Sequence, residues 1–519
     1  MRYLRAAVLA ALGICLSIAQ TAAQDITLTA RDGAVEISGT LLGFDGEFYR
    51  LDTIYGELTI DGTGVNCEGP ACPNLTNFIA EVVISGASSM ADVLMPALVE
   101  AFALRNGFSI LRDRSRENVL LYELNNQQSG ETVARFWINS SSTDEGFADL
   151  VANEANIAMS LREIRDSEAA HGKDAGLGDL REDNRSRVLA LSALVPITEA
   201  ANPVRTISTL ELAQVFAGKI TNWSALGGAD APISLHLPGE GSGLLQAIED
   251  ELMAPVNLKF ASDVLYYPRM SDLVRSVQFD PFAIGISGYE LTGSARAIGL
   301  TGGCGHEINA TRRGIKTEDY PLSAPMYLYI PALRQPKLVR DFLTYIRGDA
   351  AQMVIRRAGF VDQAGEEIAI DEQGARMVNA IRQIGESVAI EDVQQMVSEL
   401  SSYRRLTTTF RFQIGASRLD AHSLSNVALL ARRLERGEYD GRELVFVGFS
   451  DGSGGASANR EVAKRRAEAV LEAVQTAAEA ADIGQVSMRA TGYGEALPIA
   501  CDDSAWGRRV NRRVEVWLR

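Results

Sequence analysis

ISGASSMADVLMPALVEAF, residues 84–102, runs from an apolar strand through Gly86, Ser88 and Ser89 into a helical stretch. Such a junction presents backbone N–H groups and hydroxyls at the positive end of a helix, which suits a small anion. Two more segments have the same design. PGEGSGLLQAIEDEL, residues 238–252, places Gly241, Ser242 and Gly243 before a helix, and NSSSTDEGFADLV, residues 139–151, places Ser140, Ser141, Ser142 and Thr143 before another. Each serine has a plainer role as an N-cap, satisfying free N–H groups without any ligand. Three such junctions in one region are more informative than one.

Outward from these segments, residues 81 to 356 alternate buried-type strands (EVVISG, VLALSALVPI, FAIGISGY) with helical stretches (ADVLMPALVEAFALR, TLELAQVFAGK). That alternation predicts α/β architecture. Before it, residues 25–76 alternate apolar and polar positions in short runs, ITLTA, VEISGTLL, FYRLDT and GELTIDG, broken by Asp-Gly and Tyr-Gly pairs. These predict hairpins and a small all-β module, a meander or barrel. After it, residues 361–405 are helix-prone and read as a helical connector. Residues 406–519 hold the strands LVFVGF, VSMRATGYGE and RRVEVWL around a helix predicted from Asn459 to about Ala481, a compact α+β unit. The expected domains are therefore 25–76, 77–360 and 406–519, with the connector between the last two.

The chain has 519 residues, a formal charge of −17 and 46% hydrophobic residues. At roughly 100–200 residues per domain, several domains are expected. The acidic balance and the short, interrupted basic runs argue against a nucleic-acid partner, since phosphate neutralisation needs clustered Lys and Arg. Residues 1–24 have a basic start, the apolar run AAVLAALGICLSIAQ and a small-residue end, which predicts a secretory signal peptide cleaved after Ala23 and carrying Cys15 away with it. Four cysteines remain. Cys67 and Cys72, turned by Gly69 and Pro70, are expected to bridge locally; Cys304 and Cys501 either pair across two domains or stay free.

His171, His236, His306 and His422 are scattered, and no G-x-S-x-G, H-E-x-x-H, Walker or dinucleotide loop occurs. No enzyme activity, cofactor or metal is expected.

The segment NPVRTISTLELAQVFAGKITNWSALGGADAPI, residues 202–233, with ANIAMSLREI, FAIGISGYE and YPLSAPMYLYI, resembles the phosphate-type periplasmic substrate-binding proteins of ABC importers. The resemblance implies two α/β lobes of the type II periplasmic binding fold, closing over a ligand, with an ABC permease as a further partner. It implies oxyanion contacts from Ser88, Ser89, Ser140, Ser141, Ser142, Arg162, Ser242 and Gly243. The sequence departs from the family pattern at Pro238, where the family has arginine, at Leu244, where it has threonine, and at Leu161, which replaces a polar contact.

In FVGFSDGSGGASANREVAKRRAEAVLEAV, residues 446–474, Asp451 ends a strand and Arg466 lies on the following helix. Opposite charges brought to one pocket can hold a ligand that carries both an ammonium and a carboxylate. With ATGYGEALPIA and GRRVNRRVEVW, this segment resembles the OmpA-like peptidoglycan-binding domain. The resemblance implies recognition of diaminopimelate in the wall's stem peptide by Asp451 and Arg466, supported by Asn459. Arg512, Arg513 and Glu515 are expected to form structural pairs. The whole reads as a periplasmic binding protein for phosphate or a related oxyanion, held on the cell wall, with the outer-membrane side as one option. A wall-tethered scaffold or sensor is the alternative.

Overall fold

The computed structural model describes residues 25–74, 78–182, 184–301, 307–385, 388, 390–413, 418–502 and 504–519. The expected signal peptide and Cys304 lie outside the described residues. The chain divides into two compact units, one of residues 1–81, 123–135 and 334–342, the other of the rest.

In the first unit, the alternating runs form five antiparallel strands, Asp25–Ala30, Glu36–Phe44, Phe48–Thr53, Gly56–Asp61 and Val65–Glu68. The first four form a meander, and the fifth returns to the free edge of the first. Ile26, Leu28, Tyr49 and Leu51 make its core. The Cys67–Cys72 disulfide closes the end of the last strand, as the spacing predicts. Arg334 and Arg340 pair with Asp45 and Glu47.

The second unit holds the α/β region and the C-terminal domain. Two long strands, Ser186–Thr198 and Ser323–Tyr329, run through the middle of an 11-stranded sheet. On one side lie Ala283–Gly288, Ser234–Pro238 and Leu265–Tyr267; on the other lie Ile157–Ser160, Ala80–Ala87 and the strands beyond. These are two lobes, with parallel pairing at the heart of each. VLALSALVPI lies within the first of the long strands and is buried at every position. A strand covered on both faces needs apolar residues throughout, not alternately.

The same rule explains a layer that the sequence reading assigned to a connector. LVFVGF, in the strand Glu443–Phe449, is apolar at five of its six positions. Leu444 and Phe446 face the helices Ala421–Glu435 and Ala456–Ala477, while Val445, Val447 and Phe449 face the other way. That second face is covered by the helices Gly374–Arg382 and Ile390–Leu400 through Ala380, Val393, Met396 and Leu400. Glu367–Ile368 adds an edge strand. The segment 361–405 is thus helical as expected, and it packs as one layer of a three-layer domain. The long helix starts three residues earlier than predicted, at Ala456, and buries Ala463, Ala467, Val470 and Val474 as its periodicity requires.

The C-terminal domain meets the lobes through charged groups withdrawn from water. Arg405 holds Asp319 in a fork at 2.7 and 2.9 Å. Arg411 reaches Glu318 at 3.1 Å, and His422 Nδ1 stands 3.2 Å from the same carboxylate. The N–H of Ala421 donates to Glu163 at 2.6 Å. Burial, and then the neighbouring Asp420, push Glu163 up to about 7. Burial would lower His422, yet Glu318 and then Asp420 raise it above its usual value.

Both shifts have the same sign in their effect on stability. Between its ordinary value of 4.5 and about 7, Glu163 holds more proton in the folded chain than in the unfolded one, so stability falls as pH rises across that window. The His422 contribution is complete below its unfolded value and is lost as pH rises through the higher folded value. Melting temperature should therefore fall from pH 5 to 7.5, and Glu163→Gln should flatten the lower part of that slope, worth up to ~1.4 kcal/mol per pH unit. An unchanged slope in Glu163→Gln melts would show that this carboxyl is not the titrating group.

Candidate functional site

Glycines allow the three hydroxyl-rich helix starts to converge. Gly86 takes φ +135°, and a Cβ there would stand 2.1 Å from the Met159 carbonyl oxygen. A Cβ on Gly146 would meet Gly86 Cα at 2.8 Å, and one on Gly243 would lie 3.0 Å from Ala87 Cα. The segments 86–89, 142–146 and 242–246 are therefore in direct contact across the two lobes. The backbone N–H of Asp144 also donates to Gln246 Oε1 at 3.2 Å.

The hydroxyls divide into two kinds. Ser142 caps the helix Thr143–Val151 in a capping box with Glu145, and Ser242 caps Gly243–Ile248 by accepting from Leu245 N–H at 3.2 Å. Both fill the plainer role anticipated for them. Ser141 donates weakly to the Ser142 carbonyl at 3.4 Å, and Ser140 lies against Asp92, whose carboxyl is raised by burial. Ser89 differs, since it makes no capping bond and its Oγ is buried without a hydrogen-bond partner. Leu161 and Leu244, two of the departures from the family pattern, are buried apolar side chains, and Pro238 is buried at a strand end.

Arg162 is surrounded by acids. Its guanidinium bonds to Glu168 at 2.6 and 2.8 Å and to Asp144, and its Nε lies 3.3 Å from Asp250. Arg165 bonds to Asp144 and, at 2.9 and 3.0 Å, to Asp250. Asp144 belongs to the first lobe and Asp250 to the second, so these arginines join the lobes. Two cations face three carboxylates here. As placed, Arg162 gives its fork to protein acids, which leaves neutral donors for an anion, among them the Ser88 and Ser89 hydroxyls and backbone N–H groups. Sequence spacing carries no signal of this neutralisation.

In the C-terminal domain the strand expected to end at Asp451 stops at Phe449, and Asp451 lies two residues beyond it, buried, with 10% of its side chain exposed. Its Oδ1 accepts the Ser453 N–H at 3.1 Å, and its Oδ2 accepts from Arg512 at 2.6 Å. Gly454, at φ +111°, lets the loop turn back over Asn459, which donates to Glu495 at 2.5 Å. Arg466 is half-buried with its guanidinium 5.6 Å over the Phe412 ring. Burial, and then Arg512, lower its pKa, while Asp451 acts the other way. Among the described residues no carboxylate lies within ion-pair distance of Arg466. Glu495 and Asp502 also stand against this loop, the latter accepting the Gly452 N–H at 2.5 Å, so three acids and two arginines share the site. Arg513 and Glu515 form the expected structural pair at 2.7 Å, whereas Arg512 pairs with the site's own aspartate. Cys501 is disulfide-bonded. Cys304, which the sequence reading left either paired with it or free, is outside the described residues.

The fold is that of a two-lobed binding protein joined to a separate C-terminal domain. Residues 61–350, more than half of the chain, match the PBP superfamily domain, and residues 411–512 match the OmpA family. The chain belongs to the PBP superfamily and carries an OmpA-family domain. It is similar to protein SphX of Synechococcus elongatus, 24% identical over 287 residues, which are 53% of this chain and 81% of SphX. The phosphate-binding protein PstS of Borreliella burgdorferi is 21% identical over 198 residues, 37% of this chain and 71% of PstS. The probable lipoprotein YiaD of Escherichia coli is 33% identical over 98 residues, 19% of this chain and 41% of YiaD.

Because Ser142 and Ser242 satisfy helix N–H groups and Ser89 does not, their alanine variants should separate. Ser142→Ala and Ser242→Ala should each cost about 1 kcal/mol in urea unfolding, and Ser89→Ala should cost nothing or stabilise slightly. Equal losses for all three would show that Ser89 is a structural cap.

Proposed function

We propose that the chain is an envelope solute-binding protein that captures phosphate or a related oxyanion between its lobes and is held on peptidoglycan by its OmpA-family domain. The observation that carries the first half is the contact of the three helix-start segments 86–89, 142–146 and 242–246, one of which holds the unpartnered Ser89 hydroxyl. Aligned N–H groups and a free hydroxyl favour a small anion without a countercharge. Relatives named as phosphate-binding proteins agree with this choice. Capture is non-covalent, the location is the periplasm, and an ABC permease is the natural recipient of the solute.

Recognition must differ from an arginine fork, because Arg162 is already paired with Asp144, Glu168 and Asp250. Hydrogen bonds from backbone and hydroxyl would supply the affinity. The same neutralised arginines favour one rival, a scaffold or sensor whose lobes are latched without any solute. The wall half rests on Asp451 and Arg466, an acid for the ammonium and a cation for the carboxylate of diaminopimelate, with Asn459 fixing the loop. An incoming ammonium takes the place of Arg512 on Asp451.

Phosphate added to the full chain should raise its melting temperature in proportion to ln(1 + [L]/Kd). Ser89→Ala should weaken binding roughly ten-fold or more, the worth of a hydrogen bond to a charged group. No shift with phosphate, sulfate or phosphorylated metabolites would favour the scaffold. Separately, the wild-type chain should sediment with isolated sacculi and Arg466→Ala should stay in the supernatant; retention of that variant would remove the wall assignment.

A further inference from the structure

The C-terminal domain touches both lobes beside the ion pairs that join them. On the first lobe, Ala421 N–H donates to Glu163, the residue next to the latching Arg162. On the second, Trp506 Nε1 donates to the Glu251 carbonyl at 2.7 Å and Arg509 pairs with the Glu251 carboxylate at 2.8 Å. Glu251 follows Asp250, the acid through which Arg162 and Arg165 join the lobes. One domain therefore grips both halves of the latch.

Trp506 and Arg509 belong to the two-turn helix Ala505–Asn511, and the residue that ends this helix is Arg512. Arg512 occupies Asp451 in the wall pocket. The same helix is held at its C-terminal end by Arg411, whose guanidinium donates to the Arg509 and Val510 carbonyls at 2.7 and 2.9 Å while bonding to Glu318. Between Asp451 and Asp250 there stand two ion pairs, Asp451–Arg512 and Arg509–Glu251, joined by one short helix, with Glu251 next to Asp250 in the chain.

The geometry points to a clamp: the OmpA-family domain holds the lobes closed through the helix Ala505–Asn511, and occupation of Asp451 by a wall ammonium, which displaces Arg512, releases them. The clamp stands on the contacts alone; its trigger rests on the wall-binding reading given above. A ligand shifts such an equilibrium only by its differential affinity for the two states, and here that difference is the Arg512–Asp451 bond, present in the clamped state and absent when an ammonium is bound. Coupling is reciprocal, so closure of the lobes weakens wall binding by the same factor that wall binding weakens closure. A chain seated on the wall would then exchange solute readily, and a chain free of it would keep its lobes shut.

The test measures the distance between spin labels at the exposed residues Glu154, in the first lobe, and Lys219, in the second, using the full chain with Glu154→Cys and Lys219→Cys. The double variant Trp506→Phe/Arg509→Gln touches neither pocket and should lengthen and broaden that distance. Arg512→Ala, which breaks the same link with no ligand present, should do likewise. In the otherwise unaltered labelled chain, meso-diaminopimelate should reproduce the lengthening. An unchanged distance in both Trp506→Phe/Arg509→Gln and Arg512→Ala overturns the clamp. Lengthening in those variants but not with meso-diaminopimelate overturns the trigger, and sacculus binding measured alongside shows whether the wall reading failed with it.

Discussion

Two carboxylates, Asp319 and Glu515, and three guanidinium groups, Arg376, Arg405 and Arg513, meet where the C-terminal sheet joins the α/β region. Arg405 is 1% exposed, and Arg513 and Glu515 are fully buried. Burial alone would raise the Glu515 carboxyl, but the guanidinium groups of Arg376, Arg405 and Arg513 hold it well below the usual range. Removing one partner from such a set leaves an uncompensated buried charge, a loss of several kcal/mol in comparable cases. The domain is therefore docked by ions whose alternatives are worse. Arg405 bridges Asp319 and Glu515 at once, so the junction and the sheet's own core share one residue.

The two candidate sites differ in their charges. Between the lobes, three acids surround Arg162 and Arg165, so the uncommitted donors there are neutral groups, helix-start N–H groups and hydroxyls such as that of Ser89. In the C-terminal domain Asp451 is engaged by Arg512, Glu495 and Asp502 stand against the same loop, and among the described residues no carboxylate lies within ion-pair distance of Arg466.

Much of the architecture is legible in the sequence because burial writes itself as periodicity. The period-2 runs of 25–76 form the expected strands, the unbroken run VLALSALVPI becomes a strand covered on both faces, and the face of the helix through Ala463, Ala467 and Val470 is buried. LVFVGF carried a further signal that went unused: an apolar run covered on both faces requires a second helical layer, which the segment 374–400 supplies. The hydroxyl-rich helix starts at 88–89, 140–143 and 242 are legible in the sequence, whereas their convergence, which needs Gly146 against Gly86, is not. What spacing cannot show is which charges meet across the fold. The partner of Asp451 is Arg512, 61 residues away, and the acids around Arg162 come from three separate elements. Ion pairs of this kind are fixed by tertiary placement and leave no periodic trace.

The central claim is that a small oxyanion is held where three helix N-termini meet beside Ser89. A crystal structure of the full chain grown with phosphate tests it most directly. The account requires phosphate oxygens within hydrogen-bonding distance of Ser89 Oγ and of backbone N–H groups at the starts of the three helices. A phosphate-saturated crystal in which Ser89 Oγ still has no partner, or in which the anion sits elsewhere, would contradict it.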